Sequence, residues 1–248
     1  MTFAAIIPAR YASQRLPGKL LELIGDKSVL QHTVERAQNS GLFETVTVAT
    51  DDEKIFSHCE KHRIHVVMTS SSHISGTDRV AEAAESIAAD VIVNIQGDEP
   101  FVSTDMLDAI CGLFRNNDVQ IGTLCHQIEE AKEIHDFNKV KVVRDKNLKA
   151  MYFSRQAIPA MKSLPYREWF LHHTYFRHIG IYGFRSDILP QLVKLQPTTL
   201  EIAESLEQLR WLENGFPIHV EVVTGHAIGV DTAEDLAAAR EWFSKHHK

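Results

Sequence analysis

The first half of the chain alternates short apolar runs with amphipathic segments, and this alternation constrains the fold more than any other feature. The apolar runs are "FAAIIPA", "TVTVAT", "IHVVMT" and "DVIVNIQG". Between the first two, "SVLQHTVERAQNSG" has helical spacing, with Ser28 as a candidate N-cap and Gly41 as a candidate end. Strand–helix–strand repetition of this kind predicts an α/β fold, with a mostly parallel central sheet flanked by helices. Ligands of such folds bind at the carboxyl ends of the strands.

The second half is less regular. "VKVVRD", "LKAMYFSR" and "HIGIYGF" read as strands without long helices between them, which predicts an antiparallel extension of the sheet. The aromatic stretch "SLPYREWFLHHTYF" is either an exposed loop or a surface that another subunit covers. "PTTLEIAESLEQLRWLENG" predicts one long helix from near Thr199 to Gly215. No linker-like segment appears, so we expect one domain over residues 1–248.

Composition narrows the class of protein. The net charge of −7 argues against non-specific nucleic-acid binding, which needs a basic face. The three cysteines are far apart and odd in number, so neither a disulfide framework nor a zinc site is predicted. The opening "MTFAAIIPAR" lacks a basic leader, and no apolar run reaches the ~20 residues of a membrane helix. We therefore expect a cytoplasmic protein without a membrane or nucleic-acid partner.

The loop after the first strand, "IIPARYASQRLPGK", carries three cations and one glycine. Arg10, Arg15 and Lys19 would neutralise a phosphate chain, while Ser13 and the turn amides would donate hydrogen bonds to it. Neither the Walker pattern nor the dinucleotide fingerprint is present. The alternative is a solvated basic loop.

A second loop, "TSSSHISGTDR", runs from Thr69 to Arg79 and is rich in small hydroxyl residues. It could wrap closely around a base or a ribose. The alternative is an ordinary helix start capped by Ser75 or Thr77. That alternative leaves Arg79 unexplained, because a cation in the first helical turn opposes the helix dipole.

Two acids follow predicted strands, in "NIQGDEP" and "IGVDTAEDL". Asp98 is placed to hold Mg²⁺ beside a nucleotide's phosphates, with Glu99 as a second candidate. Asp231 could share a metal with Asp98. The alternatives are a turn acid at Asp98 and a plain helix cap at Asp231.

A further set of polar residues lies inside or beside apolar stretches of the second half. Together they would suit a polyhydroxylated substrate, with a cation for a carboxylate and mixed donors and acceptors for hydroxyls. Taken one at a time, each is better explained as a hydrogen-bonded structural residue. The set comprises Arg155, His178, Tyr182, Glu207 and Gln208.

In combination, these stretches resemble those of a known family. "IPARYASQRLPGK", "VATDDE", "MTSSSHISGTDR", "VNIQGDEP", "YFSR", "RHIGIYGF", "SLEQLR" and "GVDTAEDL" resemble, in order and along nearly the whole chain, the 3-deoxy-manno-octulosonate cytidylyltransferases, or CMP-Kdo synthetases. The resemblance implies a Rossmann-like nucleotidyltransferase fold and transfer of CMP from CTP to the anomeric hydroxyl of Kdo, with release of pyrophosphate. It also implies Mg²⁺, a role in lipopolysaccharide biosynthesis, and a homodimer formed through about residues 140–185.

The resemblance further implies roles for individual residues. Arg10, Lys19, Asp98 and Asp231 would be catalytic, and the two aspartates would bind the metal. The nucleotide would be bound by Ala9, Arg10, Ser13, Arg15, Lys19, Thr69, Ser75, Gly76, Thr77 and Arg79. The sugar acid would be bound by Gln96, Arg155, His178, Tyr182, Glu207 and Gln208.

Other functions also fit the sequence. Residues 159–176 match no family pattern, which leaves open the same chemistry on 8-amino-3,8-dideoxy-octulosonate or another sugar acid. A CMP-sialate synthetase or a sugar-1-phosphate nucleotidyltransferase would have a first loop richer in glycine. A non-catalytic nucleotide-binding module on the same fold would not need two acids for a metal.

Overall fold

A computed structural model describes residues 1–12, 15–225 and 229–246. The chain divides into two compact units: unit 1 comprises Met1–Cys111 and Ala227–Lys248, and unit 2 comprises Gly112–His226. The expectation of a single domain over residues 1–248 stays a prediction. In the described part of the chain, no helix has the length and apolar character required to cross a membrane.

The strands of unit 1 are β1 (Phe3–Ala9), β2 (Leu23–Ile24), β3 (Lys27–Ser28), β4 (Thr45–Thr50), β5 (Val66–Met68) and β6 (Val91–Asn94). Four of them form a parallel sheet in the order β6, β1, β4, β5. A short hairpin of β2 and β3 lies outside this sheet. The helices that begin in unit 1 are α1 (Val29–Asn39), α2 (Glu53–Lys61), α3 (Gly76–Ala84), α4 (Thr104–Leu113) and α10 (Ala233–His246).

The order of these strands creates a switch point beside β1. The chain leaves β1, forms β4 and then β5 on one side of it, and returns to form β6 on the other side. The loops that follow β1 and β6 therefore depart from neighbouring strands at the same edge of the sheet. A crevice at such a point is where open α/β sheets bind ligands.

Local sequence explains how α1 begins. Ser28 accepts a hydrogen bond from the Gln31 main-chain N–H, and the Gln31 side chain accepts one from the Ser28 N–H. This capping box confirms Ser28 as the predicted N-cap. Gly41 lies just beyond the helix at φ 69°, a conformation that favours glycine.

Unit 2 contains the predicted antiparallel strands. The strands are β7 (Ile121–Gln127), β8 (Lys141–Arg144), β9 (Ala150–Ser154), β10 (Phe176–Arg185) and β11 (Ile218–Val223). The central β7 pairs in parallel with β11 and antiparallel with β10, while β8 pairs antiparallel with both β9 and β10. The helices that begin in unit 2 are α5 (Ala131–Ile134), α6 (Trp169–His172), α7 (Leu189–Leu192), α8 (Thr199–Glu204) and α9 (Gln208–Glu213). The predicted mostly parallel sheet with flanking helices is confirmed, and an antiparallel part is present.

The prediction of one long helix from Thr199 to Gly215 is wrong. The segment forms two short helices, α8 and α9, separated by Ser205 at φ 52°. A left-handed residue ends a helix, because the carbonyl groups before it can no longer bond further along the same helix. The periodicity of the segment continues through the break, which is why the sequence alone indicates a single helix.

One charged side chain lies in the core of unit 1. The Arg79 side chain is 0% exposed, and its Nη2 lies 3.0 Å from the Asp51 Oδ2. Its Nη1 also donates to the Thr69 hydroxyl. The pairing places a compensating carboxylate beside a cation in the first turn of α3, where the helix dipole disfavours positive charge.

We predict that Asp51→Ala destabilises the protein by about 3–5 kcal/mol, because it leaves the Arg79 guanidinium buried without a counter-charge. Denaturant unfolding followed by circular dichroism measures the change. The double variant Asp51→Ala with Arg79→Met should recover much of the lost stability, since it buries no charge. Wild-type stability in the single variant would contradict this account of the core.

Candidate active site at the carboxyl ends of β1 and β6

One ammonium group binds two carboxylates in unit 1. The Lys19 Nζ donates to the Asp98 Oδ2 at 2.5 Å and to the Asp231 Oδ1 at 2.7 Å. The Lys19 side chain is only 11% exposed. Three residues from distant parts of the sequence therefore meet at one charged cluster, which we call the Lys19 cluster.

The two carboxylate partners of Lys19 keep its side chain protonated. Burial lowers the pKa of Lys19, but the carboxylates of Asp98 and Asp231 outweigh burial and raise that pKa above its ordinary value. The side chain is therefore a cation at neutral pH.

A main-chain contact between Gly18 and Tyr11 positions Lys19. Gly18 adopts φ 72° and its N–H donates to the Tyr11 carbonyl at 3.0 Å, which closes the loop after β1. A Cβ on Gly18 would lie 3.2 Å from the Tyr11 ring as well as being strained by the positive φ. Lys19 follows as the first residue of a 3₁₀ turn, Lys19–Leu21.

Asp98 is positioned by the end of β6. At Gly97, a Cβ would lie 3.1 Å from the Pro8 carbonyl oxygen of the neighbouring β1. The absence of a side chain lets the two strand ends approach closely. The Thr33 hydroxyl of α1 donates to the Gly97 carbonyl at 3.1 Å and fixes the turn from the other side.

Asp231 is held next to Asp98 through the main chain, because the Val230 N–H donates to the Asp98 carbonyl at 2.9 Å. The cap hydrogen bond of α10 is made by the Thr232 hydroxyl, which accepts from the Asp235 N–H at 3.1 Å. The alternative in which Asp231 is merely a helix cap is therefore wrong. Its carboxylate instead pairs with Lys19 and, at 3.1 Å, with the Nη2 of Arg15.

Arg10 connects the first loop to the second. Its Nη2 donates to the main-chain carbonyls of His73 at 2.9 Å and Ser75 at 3.0 Å. Ser75 caps α3 with its side chain, as the capped-start alternative expected. The same arrangement places a cation beside the N-terminus of α3, where main-chain N–H groups and the helix dipole favour an anion.

A cavity of about 280 Å³ lies beside this cluster, and its walls include Arg10, Lys19, Gly76, Gln96 and Asp98. The structure thus brings together residues that the sequence assigned separately to phosphate, metal and sugar. Gln96 lies with the nucleotide residues in unit 1.

The chemistry of the cluster suits a hard divalent cation. In the described residues, no group of three or more His, Cys, Asp or Glu side chains converges on one point. Two carboxylates do converge, and Mg²⁺ is commonly held by one or two carboxylates together with substrate phosphates and water. The Asp98 and Asp231 side chains are 26% and 48% exposed, so a hydrated ion can reach them.

Other predicted nucleotide residues have structural partners in this conformation. Ala9 is buried in β1, and Arg79 pairs with Asp51. The Thr69 hydroxyl donates to the Thr50 carbonyl at 3.1 Å. Ser13 lies outside the described residues. The contacts predicted between these residues and a nucleotide stay predictions.

The remaining sugar residues belong to unit 2. The His178 and Tyr182 rings lie 5.3 Å apart, and Tyr182 packs edge-on against the buried Trp211. Burial, with a smaller effect of Arg177, lowers the pKa of His178 to about 3, so the imidazole is neutral. His178 Nε2 lies 2.9 Å from the Thr123 hydroxyl.

The Tyr182 hydroxyl is buried and has no hydrogen-bond partner among the described residues. Burial, and then the charge of Glu207, raise the pKa of Tyr182 well above its ordinary value, so the hydroxyl keeps its proton. A buried donor without a partner is unusual in a folded protein. A polar ligand could accept a hydrogen bond from this hydroxyl.

Arg155 lies at the end of β9, and three main-chain carbonyls surround its guanidinium. Its Nε donates to Glu204 at 2.7 Å, its Nη1 to Phe137 at 3.1 Å and its Nη2 to Ser205 at 3.3 Å. The sequence gives no reason to single out Glu204 as a partner of Arg155, because acidic residues are common on exposed helix faces.

Gln208 is buried as the first residue of α9, directly after Glu207.

The chain is similar to known proteins along nearly its whole length. A family profile described as "Cytidylyltransferase" matches residues 4–222. The 3-deoxy-manno-octulosonate cytidylyltransferase of Phocaeicola vulgatus is 44% identical over 99% of this chain and 98% of its own length. Its namesake from Bacteroides thetaiotaomicron is also 44% identical, over 98% of each chain.

A solved structure of CMP:2-keto-3-deoxy-manno-octonic acid synthetase complexed with CTP is 36% identical, with a TM-score of 0.92 and 99% coverage of both chains. The predicted nucleotidyltransferase fold is thereby confirmed. The chain belongs to the cytidylyltransferase family and, within it, to the 3-deoxy-manno-octulosonate cytidylyltransferases.

Proposed function

We propose that this protein transfers CMP from CTP to the anomeric hydroxyl of 3-deoxy-D-manno-octulosonate (Kdo), giving CMP-Kdo and pyrophosphate. The observation that carries the proposal is the Lys19 cluster, two carboxylates and a protonated lysine at the switch point of an α/β sheet. Two further findings support the proposal. The chain belongs to the cytidylyltransferase family, and it is similar over almost its full length to relatives whose names state that activity. The product would supply lipopolysaccharide biosynthesis.

The protein's part in the reaction would be to hold and neutralise the triphosphate. Arg10, Arg15 and Lys19 would face the phosphate oxygens, and the N-terminus of α3 would add main-chain donors. The sugar hydroxyl oxygen would form a bond to the α-phosphorus and lose its proton. The bond from that phosphorus to the bridging oxygen would break, and its electron pair would leave with pyrophosphate. Positioning and charge neutralisation account for most of the catalysis of such transfers.

Asp98 and Asp231 would hold Mg²⁺ when the nucleotide is present. The ion would supply additional positive charge to the phosphate oxygens. Lys19 would keep the two carboxylates close together and compensate their mutual repulsion.

The sugar acid would be recognised by the side chains that the sequence assigned to it. Tyr182 would donate its unpaired hydroxyl proton, and the neutral His178, Glu207 and Gln208 would offer further donors and acceptors. Arg155 would supply positive charge for the carboxylate. We further propose that the protein acts in the cytoplasm, where CTP is available.

Homodimer formation is also part of the proposal. Unit 2 carries a groove of about 1110 Å³ whose lining includes Met151 and Leu171, which are 66% and 75% exposed. Large apolar side chains grouped in this way mark surfaces that partners cover. Both residues lie within the predicted dimer region, about residues 140–185.

The proposed function predicts pyrophosphate release from CTP and Mg²⁺ when Kdo is supplied, and none when ATP or GTP replaces CTP. A coupled pyrophosphate assay with Kdo, its 8-amino analogue and sialate in separate reactions measures this. Turnover mainly with the amino analogue would retain the mechanism and change the sugar. Folded protein that binds CTP but turns over no sugar acid would contradict the enzymatic proposal.

Asp98→Asn should leave the fold intact and reduce turnover by about 100-fold or more, because it removes a charge that would bind the metal. Asp105→Asn is the matched control: Asp105 is exposed in the first turn of α4, and its replacement should leave turnover unchanged. Normal Mg²⁺-dependent turnover in Asp98→Asn would remove Asp98 from the metal site.

Leu171→Asp should abolish self-association, because it places a charge on the proposed apolar contact surface. Sedimentation velocity of wild type and variant measures the change. Ile202→Asp, at an exposed apolar residue of α8, should associate like wild type. A monomeric wild-type protein, or a dimer that survives Leu171→Asp, would contradict the proposed surface.

A further inference from the structure

Glu204, the last residue of α8, binds the end of strand β9. Its Oε1 accepts from the Ser154 hydroxyl at 2.6 Å, and its Oε2 accepts from the Arg155 main-chain N–H at 2.9 Å. The two partners are about 50 positions away in sequence. The carboxylate therefore ties the end of α8 to a strand end that is remote in the chain.

The Arg155 side chain in turn binds main-chain groups at the end of α8. Its guanidinium donates to the Glu204 carbonyl at 2.7 Å and to the Ser205 carbonyl at 3.3 Å. These carbonyls lie at the end of α8, where a helix has no internal donors left for them. Each residue thus uses its side chain to satisfy the main chain of the other, and we call this pair the Glu204–Arg155 brace.

A buried lysine extends the brace. The Lys141 Nζ donates to the Arg155 carbonyl at 2.5 Å and to the Asp136 carbonyl at 2.8 Å. Burial lowers the pKa of Lys141 to about 8, although the charges of Asp136 and Glu204 oppose the shift. The main chain of Arg155 is therefore held on its N–H side by Glu204 and on its carbonyl side by Lys141.

The brace fixes the turn that leads into α9. Ser205 takes the left-handed conformation at φ 52°, and the Leu206 N–H donates to the Glu201 carbonyl at 3.2 Å. Glu207 and Gln208 follow immediately. An L-residue is strained in this conformation, so the turn requires support from contacts outside it.

We infer that Glu204 is a positioning residue for the sugar-acid site, which it serves by holding the turn that carries Glu207 and Gln208. The inference rests on the proposed function, in which those two side chains bind the sugar acid. Glu204 does not contact substrate in this account. Its effect passes through the brace and the turn.

Kinetics of Glu204→Ala test the inference. The variant should raise the KM for the sugar acid by about 10- to 100-fold, because small misplacements of binding groups have effects of that size. The KM for CTP should stay unchanged, because the nucleotide residues belong to unit 1. Glu204→Gln keeps an acceptor for the Arg155 N–H, and its sugar-acid KM should lie between those of wild type and Glu204→Ala.

Glu213→Ala is the matched control on the same pair of helices. The Glu213 carboxylate accepts from the Thr199 hydroxyl at 3.3 Å and the Leu200 N–H at 3.2 Å, at the opposite end of α8. Its replacement should leave both KM values unchanged. Equal changes in both KM values, or no change in Glu204→Ala, would overturn the inference.

Hydrogen exchange measured without substrate separates this inference from the proposed function. Amides of residues 204–210 should exchange faster in Glu204→Ala and Glu204→Gln than in wild type or Glu213→Ala. A wild-type protein that turns over no sugar acid would refute the function, and the exchange data would still decide whether the brace holds the turn. Unchanged exchange in both Glu204 variants would overturn the inference whatever the activity.

Discussion

The ammonium group of Lys19 makes the rest of the candidate site possible, because it lets two carboxylates lie close together. Two carboxylates that both contact one ammonium group are close enough to repel each other strongly, and the cation between them offsets that repulsion. Lys19 supplies that cation from a side chain that is almost fully enclosed. The loop after β1, the loop after β6 and the segment before α10 consequently meet at one point, and the site draws on both ends of the sequence.

Much of this arrangement could be predicted from local sequence. The strand–helix alternation places the loops after β1 and β6 at one edge of a parallel sheet. The sequence therefore predicts that Lys19 and Asp98, which lie in those loops, are close together. Ser28 carries the recognisable pattern of a capping box. Such features can be predicted because they depend on residues a few positions apart, or on strand ends, where α/β folds bind their ligands.

Other features depend on contacts between remote residues or with the main chain, and no local pattern reveals them. Arg79 looks like an anion-binding cation in sequence, yet in the structure it is buried against Asp51. The break at Ser205 interrupts a segment whose helical periodicity is continuous. Arg155 binds three main-chain carbonyls, and carbonyl groups are present at every residue, so the sequence gives no sign of which ones converge.

We propose that Asp98 and Asp231, gathered by Lys19, form the metal-dependent part of the CTP site. Isothermal titration calorimetry of CTP, with and without Mg²⁺ and in the absence of any sugar acid, measures whether they do. Wild-type protein should bind CTP more tightly with Mg²⁺, and Asp98→Asn should lose most of that difference. An equal effect of Mg²⁺ on wild type and Asp98→Asn would contradict the claim.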